Sequence, residues 1–561
     1  MRTLNYTTDL CVVGGGLSGL CCALAAARHG IKVILVQDRP VLGGNASSEI
    51  RMWIGGAKGP DTREGGIIEE IELENYFQNP GLKFPIWDSV LYEKAILEEN
   101  LTLLLNTACF ETEMDGAKIE SIKCWQSNAE TFHVIEATYF ADCSGDSILA
   151  PLSGAEYRYG REAKAEFDER IPPDTADKKT MGMSCLFQIR ETDHPVKFTP
   201  PEWAYTFETD DDLPRASHSK DNNFWWIELG GEWDALHDTD RCRDELLKIV
   251  YGVWDHMKNK GDHDVENWEL EWIGFLPGKR ESRRYIGKYT VTQNDVEAGG
   301  KFDDIVAYAG WSMDDHFPEG FYYRDGHPTI YHPVPSPWGI PLRSMISKNI
   351  ENLVFAGRNI SVTHAALSST RVMATCSILG QAIGTAVSVA VKENKKVEDI
   401  NIRGLQQTLM EDDCFLPGLT RKVSELTLSG ECSAEVVRNG IDRGDANCWK
   451  GKTGDFVEYN FENDTEIKEI RLVFDSDLNR DYYNMPCNYP LVQPKYKVPS
   501  TLITKYKIEG ESADGKVYII TAENHQRFVK IPVDWCVKTL RFIPLEENGC
   551  GEYRLFSFEI K

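Results

Sequence analysis

One unit near the N-terminus limits what the first part of this chain can become. TTDLCVV reads as a buried strand, Gly14-Gly15-Gly16-Leu17-Ser18-Gly19 as a tight turn, LCCALAAARHG as a helix ended by Gly30, and KVILVQ as a second strand. Strand, turn, helix and strand in that order form a parallel βαβ unit. Gly14 permits the turn, Gly16 lets backbone approach a diphosphate, and Gly19 lets helix and strand pack closely. The helix start offers unpaired N–H groups and the positive end of its dipole, so the unit predicts a bound nucleotide. The second strand ends Val36-Gln37-Asp38, where an acid ordinarily holds a ribose. Gln37 can accept from a ribose hydroxyl without a charge, Asp38 is expected on the other face of an extended strand, and Arg39 can cover the adenine or a phosphate. A second glycine turn follows at Gly43-Gly44-Asn45-Ala46-Ser47. A nicotinamide site has no use for it, whereas a flavin nucleotide is long enough to need backbone close to its far end.

At 561 residues the chain is too long for one ordinary core. Residues 1–156 alternate strand and helix, and residues 157–330 turn rich in tryptophan, acid and proline. IENLVFAGRN then returns to buried strand and glycine turn, and a long apolar helix follows before residue 415. After residue 416, short alternating segments such as FVEYNF, EIKEIRLVF and KVYIIT are separated by polar turns. The expected fold class is α/β: a Rossmann-like nucleotide domain (1–156 and 331–415), interrupted by an α+β substrate or cap domain (157–330) and followed by an all-β sandwich (416–561).

A formal charge of −27 argues against nucleic acid and anionic membrane as partners. Fifteen scattered cysteines, without a CxxC pair, read as reduced core thiols of a cytoplasmic protein. No metal-ligand spacing and no signal peptide are read. The run VMATCSILGQAIGTAVSVAV is long enough to cross a bilayer, but its place after a strand and glycine turn predicts a buried helix. The expected partner is a small polar molecule, with a homo-oligomer open.

Four motifs carry a resemblance to FAD-dependent oxidoreductases of the group that includes fumarate reductase and glutathione-reductase-like flavoproteins. They are LVQDRPVLGGNASSE, YFADCSGDSILAPLSGAEY, GKRESRRYIGKY and NLVFAGRNISVTHAALSSTRVMATCSILGQAIGTA. The resemblance implies non-covalent FAD and a working site with Gln37 at the strand end. It also implies cofactor contacts from Ser144, Gly145, Asp146, Gly357, Arg358 and Arg371. The helix from about Thr370 would aim its N-terminus at the flavin. The C-terminal stretch resembles a discoidin or galactose-binding-like module, which either binds sugar or packs on the enzyme.

His364 and His316 are the base candidates, because hydride loss from an alcohol needs a proton acceptor near the donor carbon. His327 and His332 are weaker ones. Arg283 is a candidate proton donor or oxygen-polarising group, and Arg280, Arg284 and Arg51 are candidate substrate clamps. The leading expectation is a flavin enzyme moving a hydride to or from a small polar, carbohydrate-derived substrate. An enoate or fumarate-type reductase with an arginine clamp is the alternative, and a carbohydrate-binding scaffold with structural FAD is the alternative of another class.

Overall fold

The computed structural model describes residues 1–214, 218–220, 223–480 and 497–561. Strand β1 (Arg2–Val13), helix α1 (Leu17–Arg28) and strand β2 (Val33–Val36) form the βαβ unit. Strand β2 is flanked by β3 (Leu101–Leu104), and β1 by β6 (Thr131–Asp142); all three pairings are parallel. The apolar run expected as one strand from Leu101 to Met114 is two. Asn106, in the left-handed region at φ 53°, turns the chain between β3 and β4 (Thr107–Asp115). Strands β4 and β5 (Lys118–Gln126) then pair antiparallel beside the first half of β6. The second half of β6 takes the strand Leu353–Phe355 in parallel. The chain thus returns to the same sheet after the cap, in the α/β architecture expected.

The helix Met373–Glu393 is long and apolar enough to cross a membrane by composition, but its most apolar stretch is 89% buried in the protein. It lies against α1 where two glycines remove side chains: a Cβ on Gly380 would stand 2.0 Å from the Ser18 carbonyl oxygen, and one on Gly384 2.2 Å from that of Cys22. The intervening cap has its own core, in which Phe187, Phe224, Trp226 and Trp254 pack around the helix Thr239–Asp255. The C-terminal part is an all-antiparallel seven-stranded sheet with a third core. FVEYNF and EIKEIRLVF, expected as separate strands, are one strand, Val457–Phe474, bent by irregular pairing between Asn460 and Thr465. This sheet is fastened to the flavin-type domain by buried arginines. Arg527 pairs with Asp413 at 2.9 Å, and Arg443 donates to the Asp61 carbonyl at 2.7 Å. The described cysteines are all free, most of them buried.

Candidate active site

A cavity of about 610 Å³ runs from the first glycine turn to the base of the cap. Gly14, Gly16, Leu17 and Ser18 line one end. Gly14 takes φ 105°, which glycine alone adopts readily. A Cβ on Gly19 would stand 1.8 Å from the Gly14 oxygen, so Gly19 serves helix packing and lies outside the cavity wall. Helix α1 has no side-chain cap and no acid in its first turn. Ser18 Oγ, buried there, has no hydrogen-bond partner among the described residues. An uncapped helix start, an orphaned hydroxyl and a turn without side chains fit an anionic diphosphate.

Gln37 lies at this end but is already engaged. Its Oε1 accepts the Gly15 N–H at 2.7 Å and its Nε2 donates to the Val41 carbonyl at 3.1 Å. Asp38 lines the cavity beside it rather than turning away, because β2 has ended at Val36 and strand alternation no longer applies. Arg39 is also on the wall and faces Glu49 at 3.5 Å. Gly43, Gly44 and Asn45 line the next stretch, with Gly43 bridged to Gly16. Ala46 and Ser47 stand behind it: the Ala46 carbonyl accepts from Trp87 Nε1 at 2.9 Å, and Ser47 is buried.

Three of the distant motifs meet at Asp146. Its carboxylate takes Arg358 Nη2 at 2.6 Å, Lys279 Nζ at 2.9 Å and Ser282 Oγ at 2.7 Å. Burial alone would raise the Asp146 carboxyl, but Arg358 and Lys279 outweigh it and hold it well below the usual range. Ser144, Gly145 and Gly357 line the wall around this knot.

The other end of the cavity is walled by Trp53, Trp225, Trp311 and Tyr331, and carries Arg280, Asp314, His316 and Arg371. His316 ends the strand Met313–His316, which pairs antiparallel with Thr329–His332. Its Nδ1 is 2.6 Å from Glu228 Oε2, and its Nε2 is 3.3 Å from Asp314 Oδ2. Burial favours the neutral ring, but the two carboxylates win and raise its pKa above the ordinary 6.5. Glu228 is correspondingly held low: burial opposes this, and Arg280 and His316 outweigh it. Arg280 Nη1 donates to Ser184 Oγ at 2.9 Å and lies 3.4 Å from Glu228; its Nη2 donates to the Trp225 carbonyl at 2.9 Å. Arg371 Nη2 reaches Asp314 at 3.1 Å, while its buried Nε has no hydrogen-bond partner among the described residues.

The remaining candidates lie elsewhere. His364 is 1% exposed and off the cavity wall, with Nδ1 2.9 Å from Glu281 and Nε2 3.1 Å from Asp315. Arg284 is buried against Glu162 at 3.1 Å. Arg283 lies over the Tyr157 ring at 5.4 Å. Arg51 is held between Phe84 and Trp272, 4.4 and 4.2 Å from the ring centres. Sequence reasoning passed over Trp225, Glu228, Asp314 and Lys279. Lys279 stood inside a motif already singled out, and Trp225 in the unusual pair FWWIEL.

A family model described as FAD dependent oxidoreductase matches residues 9–409. Among curated proteins, glycerol-3-phosphate dehydrogenase of Mycobacterium leprae is 40% identical over 66 residues. That is 12% of this chain, and the match spans only 11% of the relative's length. A geranylgeranyl bacteriochlorophyll reductase-like protein of Thermoplasma acidophilum aligns over 73% of this chain and 85% of its own, at 11% identity and a TM-score of 0.33. The E. coli quinol fumarate reductase flavoprotein aligns over 73% and 75%, at 10% identity and a TM-score of 0.28.

Proposed function

Because the chain belongs to the FAD dependent oxidoreductase family, we propose that it moves a hydride between FAD and a small polar substrate, with His316 handling the proton. When bound, FAD supplies a ring nitrogen that takes or gives the hydride. Gly14, Gly16, Leu17 and Ser18 would hold its diphosphate, and Gln37, Asp38 and Arg39 its adenosine side. Gly43, Gly44, Asn45, Ser144, Gly145, Asp146, Gly357 and Arg358 would follow its length without a covalent bond. Gly19, Ala46 and Ser47 support these turns from behind.

The observation that carries this reading is the single cavity shared by the glycine turns and His316. At the cap end, flat aromatic faces stand beside arginine donors, a mixture suited to a carbohydrate-derived ring. His316 Nε2 is the proton site, since its contact to Asp314 is the looser of its two. Arg280 orients a substrate oxygen or carboxylate, and Arg371, expected among the cofactor contacts, is given the same role because it stands beside Asp314. His364, Arg284 and Arg283 position the cap and flavin-type segments against each other. The thiol inventory goes with a cytoplasmic setting.

One observation favours the reducing direction as a second reading. Two carboxylates raise the pKa of His316, which suits a proton donor to an anionic acceptor such as an enoate, with Arg371 on the same wall. The test is the anaerobic flavin spectrum. Sugars and glycerol-3-phosphate are added to the oxidised protein, and enoates to the chemically reduced protein. Bleaching by a polyol or reoxidation by an enoate, lost in His316→Gln, is the expected result. A His316→Gln protein that turns over like wild type overturns the assignment.

A further inference from the structure

The helix Thr239–Asp255 does not end in the usual way. It widens into a π-helical turn, His256–Lys260, a departure that often marks a functional position. The turn presents the buried ring of His256 to three other side chains: Asp210, His218 and His263. Their four ligand atoms all lie within 4.8 Å of one another.

His256 Nδ1 lies 3.0 Å from the Phe207 carbonyl oxygen. A carbonyl only accepts, so the hydrogen is on Nδ1, and a neutral ring then presents a lone pair at Nε2. That lone pair faces the acceptor Asp210 Oδ1 at 2.9 Å and a second imidazole nitrogen, His263 Nε2, at 3.2 Å. His218 Nε2 and His263 Nε2 stand 3.4 and 3.8 Å from the same Asp210 oxygen. A proton on one ring can relieve one of these contacts. A cation at their centre relieves them together. Tetrahedral zinc, with bonds of about 2.0–2.1 Å, separates its ligand atoms by about 3.3 Å; the four separations above, of the six among these atoms, scatter around that value, and all six lie within 4.8 Å.

The surroundings are built for the same purpose. A carbonyl that fixes the outer nitrogen of a ligating histidine is the usual orienting contact of a metal site. Gly261 lets the His263 ring fold back over the chain, because a Cβ there would stand 2.3 Å from His263 Nε2. Asp210 is 70% exposed whereas His256 is 1% exposed, so the group opens to solvent on one side. It lies in the acidic stretches FETDDD and GDHD, which attract a cation. None of the four residues lines the flavin cavity.

We propose that Asp210, His218, His256 and His263 form a structural Zn²⁺ site in the cap, separate from the flavin chemistry. Three imidazoles and a carboxylate suit zinc among the abundant divalent ions, whereas oxygen-only sites suit magnesium and calcium. Four protein ligands leave no open position, so the ion ties Asp210 and His218 to the end of the cap helix and to His263.

The test uses flavin-loaded full-length protein, stripped of metal by a chelator and titrated with Zn²⁺ alone. One equivalent of zinc per chain should survive gel filtration and raise the unfolding temperature. Co²⁺ should give ligand-field bands of tetrahedral intensity in the difference spectrum. His263→Ala and His218→Ala should lose zinc retention and the thermal gain, with flavin content and turnover unchanged. Gly261→Val, which displaces a ring without deleting a ligand, should weaken zinc by about tenfold or more. Wild-type protein that retains no zinc, or variants that retain it as wild type does, overturns the proposal; flavin content in each variant shows that it has folded.

Discussion

The side chain of Gln37 holds the backbone of Gly15: Oε1 accepts that N–H at 2.7 Å, and both groups are shielded from water. The residue at the strand end therefore braces the first glycine turn as well as facing the cavity. Gln37→Leu leaves the Gly15 N–H buried and unpaired, which costs about 1–3 kcal/mol. The expected result is FAD binding weaker by roughly tenfold or more, read from the fluorescence titration of flavin-free protein.

His316→Gln keeps a hydrogen-bonding side chain and removes the titrating proton. Turnover should fall by about 10²–10⁴. In wild type, substrate oxidation needs the neutral ring. Since the ring's pKa is raised, oxidation should climb with pH with an inflection above 6.5. Reduction, which needs the protonated ring, should fall across the same window. Both inflections should vanish in the variant, as pH profiles of kcat would show.

Arg371→Lys keeps the charge but loses the planar donor fork and its unpartnered Nε. For a carboxylate-bearing substrate, KM should rise about tenfold or more, with a smaller change for neutral polyols. Steady-state kinetics on the two substrate classes separates these outcomes.

His364, between Glu281 and Asp315, has its pKa raised to about 10: burial opposes the charge, and the two carboxylates outweigh it. A raised pKa stabilises the fold fully below the unfolded value near 6.5 and loses that contribution as pH rises through about 10. His364→Gln should cost about 3–5 kcal/mol near neutrality, because it strands buried carboxylates. The gap in Tm between wild type and variant should narrow from pH 6.5 to 10. Thermal melts across that range provide the check.

What was legible in the sequence was local. The glycine turns sit on the cavity because a turn, its helix and its strand are consecutive residues. The two sheet-forming halves were legible because buried parallel strands read as apolar runs wherever they occur. Ring direction was not legible. His364 begins the helix His364–Thr370, yet its imidazole turns to Glu281 and Asp315, while His316 reaches the cavity from a strand end. Within Gly278–Tyr289, Arg280 reaches the cavity, whereas Arg284 points into a buried pair with Glu162. The four histidine and aspartate groups of the cap escaped spacing rules because residues 210, 218, 256 and 263 come together only after the helix end and the loops are placed.

The contact of Gly380 with the Ser18 carbonyl joins residues more than half the chain apart. Helix α1 and the helix Met373–Glu393 shield each other, so the first βαβ unit emerges from the ribosome long before its lid exists. During synthesis the cap, with a core of its own, is free to fold first, while the apolar face of α1 waits without its partner. A chain arrested before Glu393 would keep that face bare to water, the kind of transient apolar exposure that makes long chains prone to aggregate while they are being made.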